Sequence, residues 1–366
     1  MDSHLFQPTE PYRDDRSILV AGCGTSQAAK YAMRWPRAKI TAIDVSAISI
    51  ACTNELKHRY SLDNLQVREL SVEHAAELGC RFEHIVCTGV LHHLPDPDAG
   101  LHALHDVLEP TGALHMMVYA PYGRAGVYLM QDYCRRLGIG SSASDVRDLA
   151  VSLRALPADH PLMPLLRNSS DFQTNAGLAD ALLNPLDRSF SVPELFEFLD
   201  RASLKFGRWI RQAPYLPNCG GVVSAPHRTR LMQLSIEEKF AAMELLRGTM
   251  VRHSMVAYSK GSKAQHTPID FNGDAWTRYV PLQVSGTTAV RERSPKGATA
   301  VLINKNHAFR DIYLPINQEQ EELLRLVDGR RNIGAIMGPQ RNSDQARTFF
   351  ELLWLHDQIV FDVSQR

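Results

Sequence analysis

Through its first 120 residues or so the chain alternates short apolar runs with helical stretches, and this rhythm constrains the fold more than any other feature. Ser17-Ile18-Leu19-Val20-Ala21 ends at Gly22-Cys23-Gly24, and Lys39-Ile40-Thr41-Ala42-Ile43 ends at Asp44. Residues 65–70, 82–87 and 112–119 read as three further strands. Helices are expected over residues 27–33, from an N-cap at Ser46 to about Tyr60, and from about Asp98 to Pro110. In the second of these, Ile48, Ala51, Cys52 and Leu56 supply the apolar positions. Strands separated by helices in this way form parallel βαβ units with right-handed crossovers. The expected class is α/β, a doubly wound Rossmann-like sheet.

After Tyr119 the rhythm stops. Residues 123–188 are rich in leucine at helical spacing and read as a helical lid inserted into the sheet domain. Ser191-Val192-Pro193-Glu194 then combines a cap, a first-turn proline and an early acid, which starts a helix. Two later strands, over residues 204–210 and 253–258, are expected to close the sheet as an antiparallel pair. Three parts follow: a cofactor domain over 1–258, a polar linker over 259–296, and a small α+β, winged-helix-like accessory domain over 297–366. On this division a chain ending near Tyr258 should keep its fold and its ligand, and the tail should serve acceptor recognition or assembly, including a homo-oligomer.

Composition bounds the partners. The 366 residues hold 40 basic and 40 acidic side chains, so no cationic surplus points to nucleic acid or an anionic membrane. No apolar run approaches the roughly 18 residues of a membrane helix, and the polar start MDSHLFQPTEPYRDDR lacks the apolar segment of a signal peptide. A cytoplasmic protein is expected. The six cysteines include no CxxC pair and read as small buried residues, and the scattered histidines meet no ligand set at metal spacing, so no metal is expected.

Chemistry concentrates at the strand ends. Glycines at 22 and 24 let the backbone approach a ligand without a Cβ in the way, ahead of a helix that presents its amides. Asp44, twenty residues beyond Gly24, stands where a carboxylate accepts hydrogen bonds from ribose hydroxyls. A dinucleotide fingerprint wants Gly or Ala three residues after the second glycine, where this chain has Gln27. The segment Val90-Leu91-His92-His93-Leu94-Pro95-Asp96-Pro97 after the fourth strand then decides between a dinucleotide and a nucleoside ligand that carries no phosphate.

With these motifs the chain resembles the class I S-adenosylmethionine-dependent methyltransferases, specifically over residues 15–120 and more loosely to about 258. The resemblance implies S-adenosyl-L-methionine as cofactor and methyl transfer to an O or N nucleophile of a small-molecule or peptide/protein acceptor. It implies that Ala21, Gly22, Cys23 and Gly24 line the methionine moiety, that Asp44 holds the ribose and that Val45 flanks the adenine. Ser71, Val72 and Glu73 would lie along the adenine edge, and Thr88, Gly89 and Val90 on the sulfonium side. His93, Tyr119 and Tyr122 are the candidate catalytic groups, with Arg124 able to bind an acidic acceptor. The chain departs from the family pattern at Val20, Ser26 and Ser71, where an acid, a third glycine and an acid are common. Two alternatives are a non-catalytic protein that keeps the cofactor fold and an NAD-dependent oxidoreductase. The tail segment from Leu323 to Ile336, with Phe349 and Phe350, resembles winged-helix domains that recognise leader peptides, and Arg330, Arg331 and Arg341 with Gln340 are the alternative candidates for touching nucleic acid, which the neutral chain disfavours.

Overall fold

A computed structural model describes residues 2–262, 269–339 and 341–364. After a short helix α1 (Asp2–Phe6), the strands β1 (Ser17–Ala21), β2 (Lys39–Asp44), β3 (Leu65–Glu69), β4 (Phe82–Thr88) and β5 (Leu108–Tyr119) alternate with α2 (Gln27–Arg34), α3 (Ala47–Arg59) and α4 (Pro97–Asp106). The insertion folds as α5 (Ala125–Leu137), α6 (Ala143–Ser152), α7 (Met163–Asn168) and α8 (Asn175–Leu183). Then come α9 (Val192–Arg201), β6 (Leu204–Trp209), α10 (Arg228–Gln233), α11 (Ile236–Arg247) and β7 (Arg252–Ser259). The seven strands form one sheet in the order β3-β2-β1-β4-β5-β7-β6. β1 pairs in parallel with β2 and β4, and β7 runs antiparallel to both β5 and β6.

The apolar runs form central strands because both faces are covered. On one face Ala28, Ala29 and Ala32 of α2 pack against Ile18, Val20 and Val86, small side chains that let the helix sit close. On the other, Leu101 and Leu104 of α4 and Leu195 and Phe198 of α9 cover Leu19, Ile85 and Leu114. Helix α9 starts as expected: the Glu194 carboxylate accepts the Ser191 amide at 2.7 Å. Helix α3 lies one position away from its expected orientation. Ile48 is 74% exposed, and the inward face is Ile50, Thr53 and Leu56 rather than Ile48, Ala51 and Cys52. The insertion encloses its own core of Val127, Met130, Leu149, Leu153 and Leu182.

The polar stretch over 259–296 is corrected by the structure. It contains β8 (Val280–Gln283) and β9 (Thr287–Val290), and these belong to the tail. β9 pairs with β10 (Ala300–Asn304), which pairs with β11 (Leu314–Ile316). The helices α12 (Gln318–Arg325), α13 (Ile333–Met337) and α14 (Ser343–Leu355) precede β12 (Ile359–Asp362), whose partner is β8. Phe271, Trp276 and Tyr279 sit in one core with Phe349, Phe350 and Phe361, so a few large anchors suffice where the average composition is polar.

The tail is also seated on the sheet domain, against the expectation of a self-sufficient residue 1–258 unit. Buried Asp357 accepts the amides of Gln212 and Ala213 at 3.1 and 2.9 Å, and Gln212 Nε2 donates to the Trp354 carbonyl at 2.7 Å. Val363 N donates to Pro8 O at 2.8 Å. Phe309 and Ile312 of the tail pack with Ala213 and Cys219.

Candidate active site

The carboxyl ends of β1 and β2 build a cradle from backbone first. Gly22 N and Cys23 N both donate to Ile43 O, at 2.8 and 3.0 Å, which ties the glycine turn to the neighbouring strand. Gly22 and Gly24 take φ of +73° and +54°, the left-handed region that favours glycine. The two differ in what surrounds them. A Cβ on Gly22 would strike Val90, whereas one on Gly24 would meet nothing within 4 Å. Gly22 therefore lets the turn close on the β4 loop, and Gly24 borders open space.

Asp44 is the hub of this cradle. Its Oδ2 accepts Gly24 N at 2.9 Å and its Oδ1 accepts Ser46 N at 2.9 Å. Each carboxylate oxygen has two acceptor sites, so one remains on each. Below it, Thr53 donates its hydroxyl to Gly24 O at 2.9 Å, and the Cys23 thiol is fully buried between the turn and Thr53. Cys23 thus faces the interior, and only its backbone borders the cradle. Nothing in the sequence marks Thr53 out within an amphipathic helix, yet it is the buried residue of α3. Val45 stands 67% exposed beside the cradle, an apolar side chain left in the open.

The other loops converge on this point. Leu70 N donates to Asp44 O at 3.0 Å, which draws the β3 loop in. There the Ser71 hydroxyl donates to Glu73 Oε2 at 2.8 Å while Val72 is buried. At β4, Thr88 Oγ1 accepts from Gln27 Nε2 at 2.9 Å, Gly89 has φ +82° and donates to Met117 O at 3.2 Å, and Val90 packs on Gly22. Gln27 entered the sequence reading only as a missing glycine; the structure makes it the bridge from the first turn to the end of β4. Beyond the Gln27–Thr88 pair, a cavity of about 480 Å³ runs between β5, β7 and the tail.

The candidate catalytic groups lie on the lid side. His92 is fully buried, and burial holds its imidazole at about 2, so it stays neutral. His93 is half-buried and held below the ordinary imidazole value, by burial first, against the opposing pull of Asp180 and Asp187. Asn184 Oδ1 accepts Leu186 N at 3.0 Å, which turns Asn184 Nδ2 toward His93 Nδ1 at 3.1 Å. A neutral His93 that accepts at Nδ1 carries its proton on Nε2, so in this arrangement it is a donor and not a general base. The Tyr119 ring lies between His92, at 3.9 Å between centroids, and the Arg124 guanidinium, 3.5 Å from the ring. Tyr122 is 41% exposed on the turn between β5 and α5.

Arg124 does not fit the role of acceptor-binding cation. Its Nη2 meets Asp187 at 2.9 Å, with the two side chains 7% and 0% exposed, and Gln131 donates to the same carboxylate oxygen. That charge is committed to holding the lid. Gln340 lies outside the described residues.

A seven-stranded sheet of this order, with a glycine turn after β1 and an acid closing β2, is the Rossmann-like methyltransferase fold. Residues 19–114 match the family model described as a methyltransferase domain. The structure of PKMT2 from Rickettsia typhi in complex with AdoHcy shares the fold, with a TM-score of 0.69 at 15% identity over 98% of this chain and 74% of that one. An uncharacterized protein of Synechococcus sp. is 33% identical over 237 residues, 63% of this chain and 57% of that protein. The ubiquinone biosynthesis O-methyltransferase of Azotobacter vinelandii is 33% identical over 100 residues, 26% of this chain and 41% of that enzyme. The chain thus spans less than two thirds of the length of these curated relatives.

Proposed function

We propose that the protein transfers a methyl group from S-adenosyl-L-methionine to an oxygen or nitrogen nucleophile of a small-molecule or peptide/protein acceptor. The observation that carries this reading is Asp44: Oδ2 accepts the Gly24 amide of the glycine turn and Oδ1 the Ser46 amide ahead of α3, and a second acceptor site on each oxygen is left for a pair of ribose hydroxyls. The open space over Gly24 supports the same ligand, since a Cβ there would project into it. When bound, the cofactor supplies an electrophilic methyl whose bonding electrons remain on sulfur as the acceptor lone pair forms the new bond.

The rest falls to the chain. Ala21 and the backbone of Gly22, Cys23 and Gly24 would border the methionine portion, and Val45 and Val72, with Ser71 and Glu73, the adenine. Thr88, Gly89 and Val90 would flank the reacting end. Alignment of the nucleophile supplies most of the acceleration such a reaction needs. A proton must leave only when the acceptor is a hydroxyl or an ammonium. Tyr119 and Tyr122 remain candidates for that step, and His93 would serve after a tautomer exchange only if Asn184 also moved off its Nδ1, since a proton there would face the Asn184 amide NH₂. Among the described residues no helix is long and apolar enough to cross a membrane.

The rival readings differ in ligand. Gln27 fills the position a dinucleotide fold keeps small and reaches across to Thr88, which disfavours NAD. Calorimetric titration with S-adenosylhomocysteine and with NAD separates these two: binding of NAD alone overturns the proposal. Methyl transfer from labelled donor to cell extract separates an enzyme from a non-catalytic binding protein.

A further inference from the structure

The cavity beside Thr88 carries a feature that donor binding does not use. Its volume of about 480 Å³ falls in the range of small-molecule sites, and its lining mixes apolar and polar groups. Arg211 and Arg252 both line it, and no aspartate or glutamate does. Among the described residues neither guanidinium has a hydrogen-bond or ion-pair partner. Arg211 is held below the usual guanidinium range by burial and then by the charge of Arg252, so the two cations repel across the cavity. Asp357, the carboxylate that bears on Arg211, is not within ion-pair distance of it and is taken up by the Gln212 and Ala213 amides.

Two imidazoles share the wall. His115 bonds Ser254 through Nε2 at 3.1 Å, and its buried Nδ1 has no partner. His307, brought by the tail, has both ring nitrogens buried without a partner among the described residues. Burial holds both at about 4, so near pH 7 they are neutral and the positive charge is that of the arginines. Arg211 is half-buried and Arg252 exposed, so the cost of an uncompensated charge falls on Arg211, and a ligand of opposite sign would relieve both that cost and the repulsion between the two.

We propose that this cavity is the acceptor pocket and that it takes a small amphipathic organic acid, its carboxylate held by Arg211 and Arg252 and its apolar body along Met117, Ile210 and Phe309. The acceptor role rests on the methyltransferase reading, which puts the reacting methyl near Thr88; anion binding does not. The tail then contributes to recognition directly, because His307, Ala308 and Phe309 line the cavity.

The test is calorimetry on the full chain, with S-adenosylhomocysteine present, using benzoate, naphthalene-2-carboxylate and decanoate, each against its neutral amide. At least one acid should bind about tenfold or more tightly than its amide, the size of a charge-assisted contact. Arg211→Gln and Arg252→Gln should each remove about tenfold of that preference, Arg252→Lys should retain most of it, and Phe309→Ala should weaken acid and amide alike. Equal binding of acid and amide across all three pairs, or a preference that survives the double glutamine variant, overturns the proposal. S-adenosylhomocysteine should bind all of these variants as it binds the parent. A parent protein that shows the acid preference but binds no S-adenosylhomocysteine overturns the donor reading alone.

Discussion

Asp44→Ala tests the donor site most directly. The substitution removes both acceptors of the Gly24 and Ser46 amides, each held at 2.9 Å, together with the two remaining acceptor sites assigned to the ribose. Two charge-assisted contacts to the ligand at about 1.5–3 kcal/mol each, partly offset by rehydration, predict a loss of about 2–4 kcal/mol, roughly 30- to 1,000-fold in affinity. The same geometry sets what Asn should do. An amide in place of the carboxylate must aim its NH₂ at either Gly24 N or Ser46 N, donor against donor, so Asp44→Asn loses one loop contact as well as charge. Asp44→Asn should therefore fall near Asp44→Ala instead of near the parent. The assay is calorimetric titration of S-adenosylhomocysteine, with circular dichroism as a check that the sheet survives. Parent-like affinity in Asp44→Ala would mean that the carboxylate only ties the loop and that the cofactor lies elsewhere.

Three further outcomes are expected. Gly22→Ala should destabilise the fold by about 2–4 kcal/mol, since it combines a positive φ with a collision against Val90, and Val90→Ala in the same chain should restore part of it; a thermal midpoint unchanged in Gly22→Ala refutes the close approach. Burial holds His84, His92, His115 and His307 at about 3, 2, 4 and 4, below the 6.5 they have when unfolded, so the unfolded chain binds more protons and stability is lost as pH falls below about 6.5. Each should cost between about 1 and 2 kcal/mol on going from pH 7.5 to 5.5; Asp357, pushed up to about 6 by burial, works the other way and offsets somewhat under about 1, leaving a net loss of roughly 5 kcal/mol that equal urea midpoints at the two pH values would contradict. Removing residues 260–366 should yield insoluble protein or one without a cooperative thermal transition, because the Gln212 and Ala213 amides lose Asp357 and the Ala213–Cys219 cluster loses Phe309 and Ile312; a soluble, cooperatively melting product would show the seat to be dispensable.

Much of the cofactor cradle was legible in one dimension. The strand ends at Ala21, Asp44 and Thr88 follow from short apolar runs that stop at glycine or acid, and local chain geometry then puts Gly22, Gly24 and Asp44 on one edge of a parallel sheet. Local capping was legible too, as at Ser191–Glu194. These features depend on residues near one another in sequence, where periodicity and turn chemistry act.

What the tertiary structure alone decided lies in contacts between distant segments. No pattern in residues 47–59 shows that Thr53 would turn inward to hold Gly24, and a hydrophobic count favoured Ile48, which ends exposed. Gln27 reaches a partner 61 residues away, Arg124 one 63 away, and both change role as a result. The tail is the largest case. Its polar lead-in, residues 269–296, reads as linker because average composition hides three anchors, Phe271, Trp276 and Tyr279, whose burial needs partners some 70 residues later. Its seat on the sheet depends on one buried carboxylate, Asp357, meeting two amides about 145 residues earlier, a match of shape and hydrogen bonding that sequence spacing does not encode.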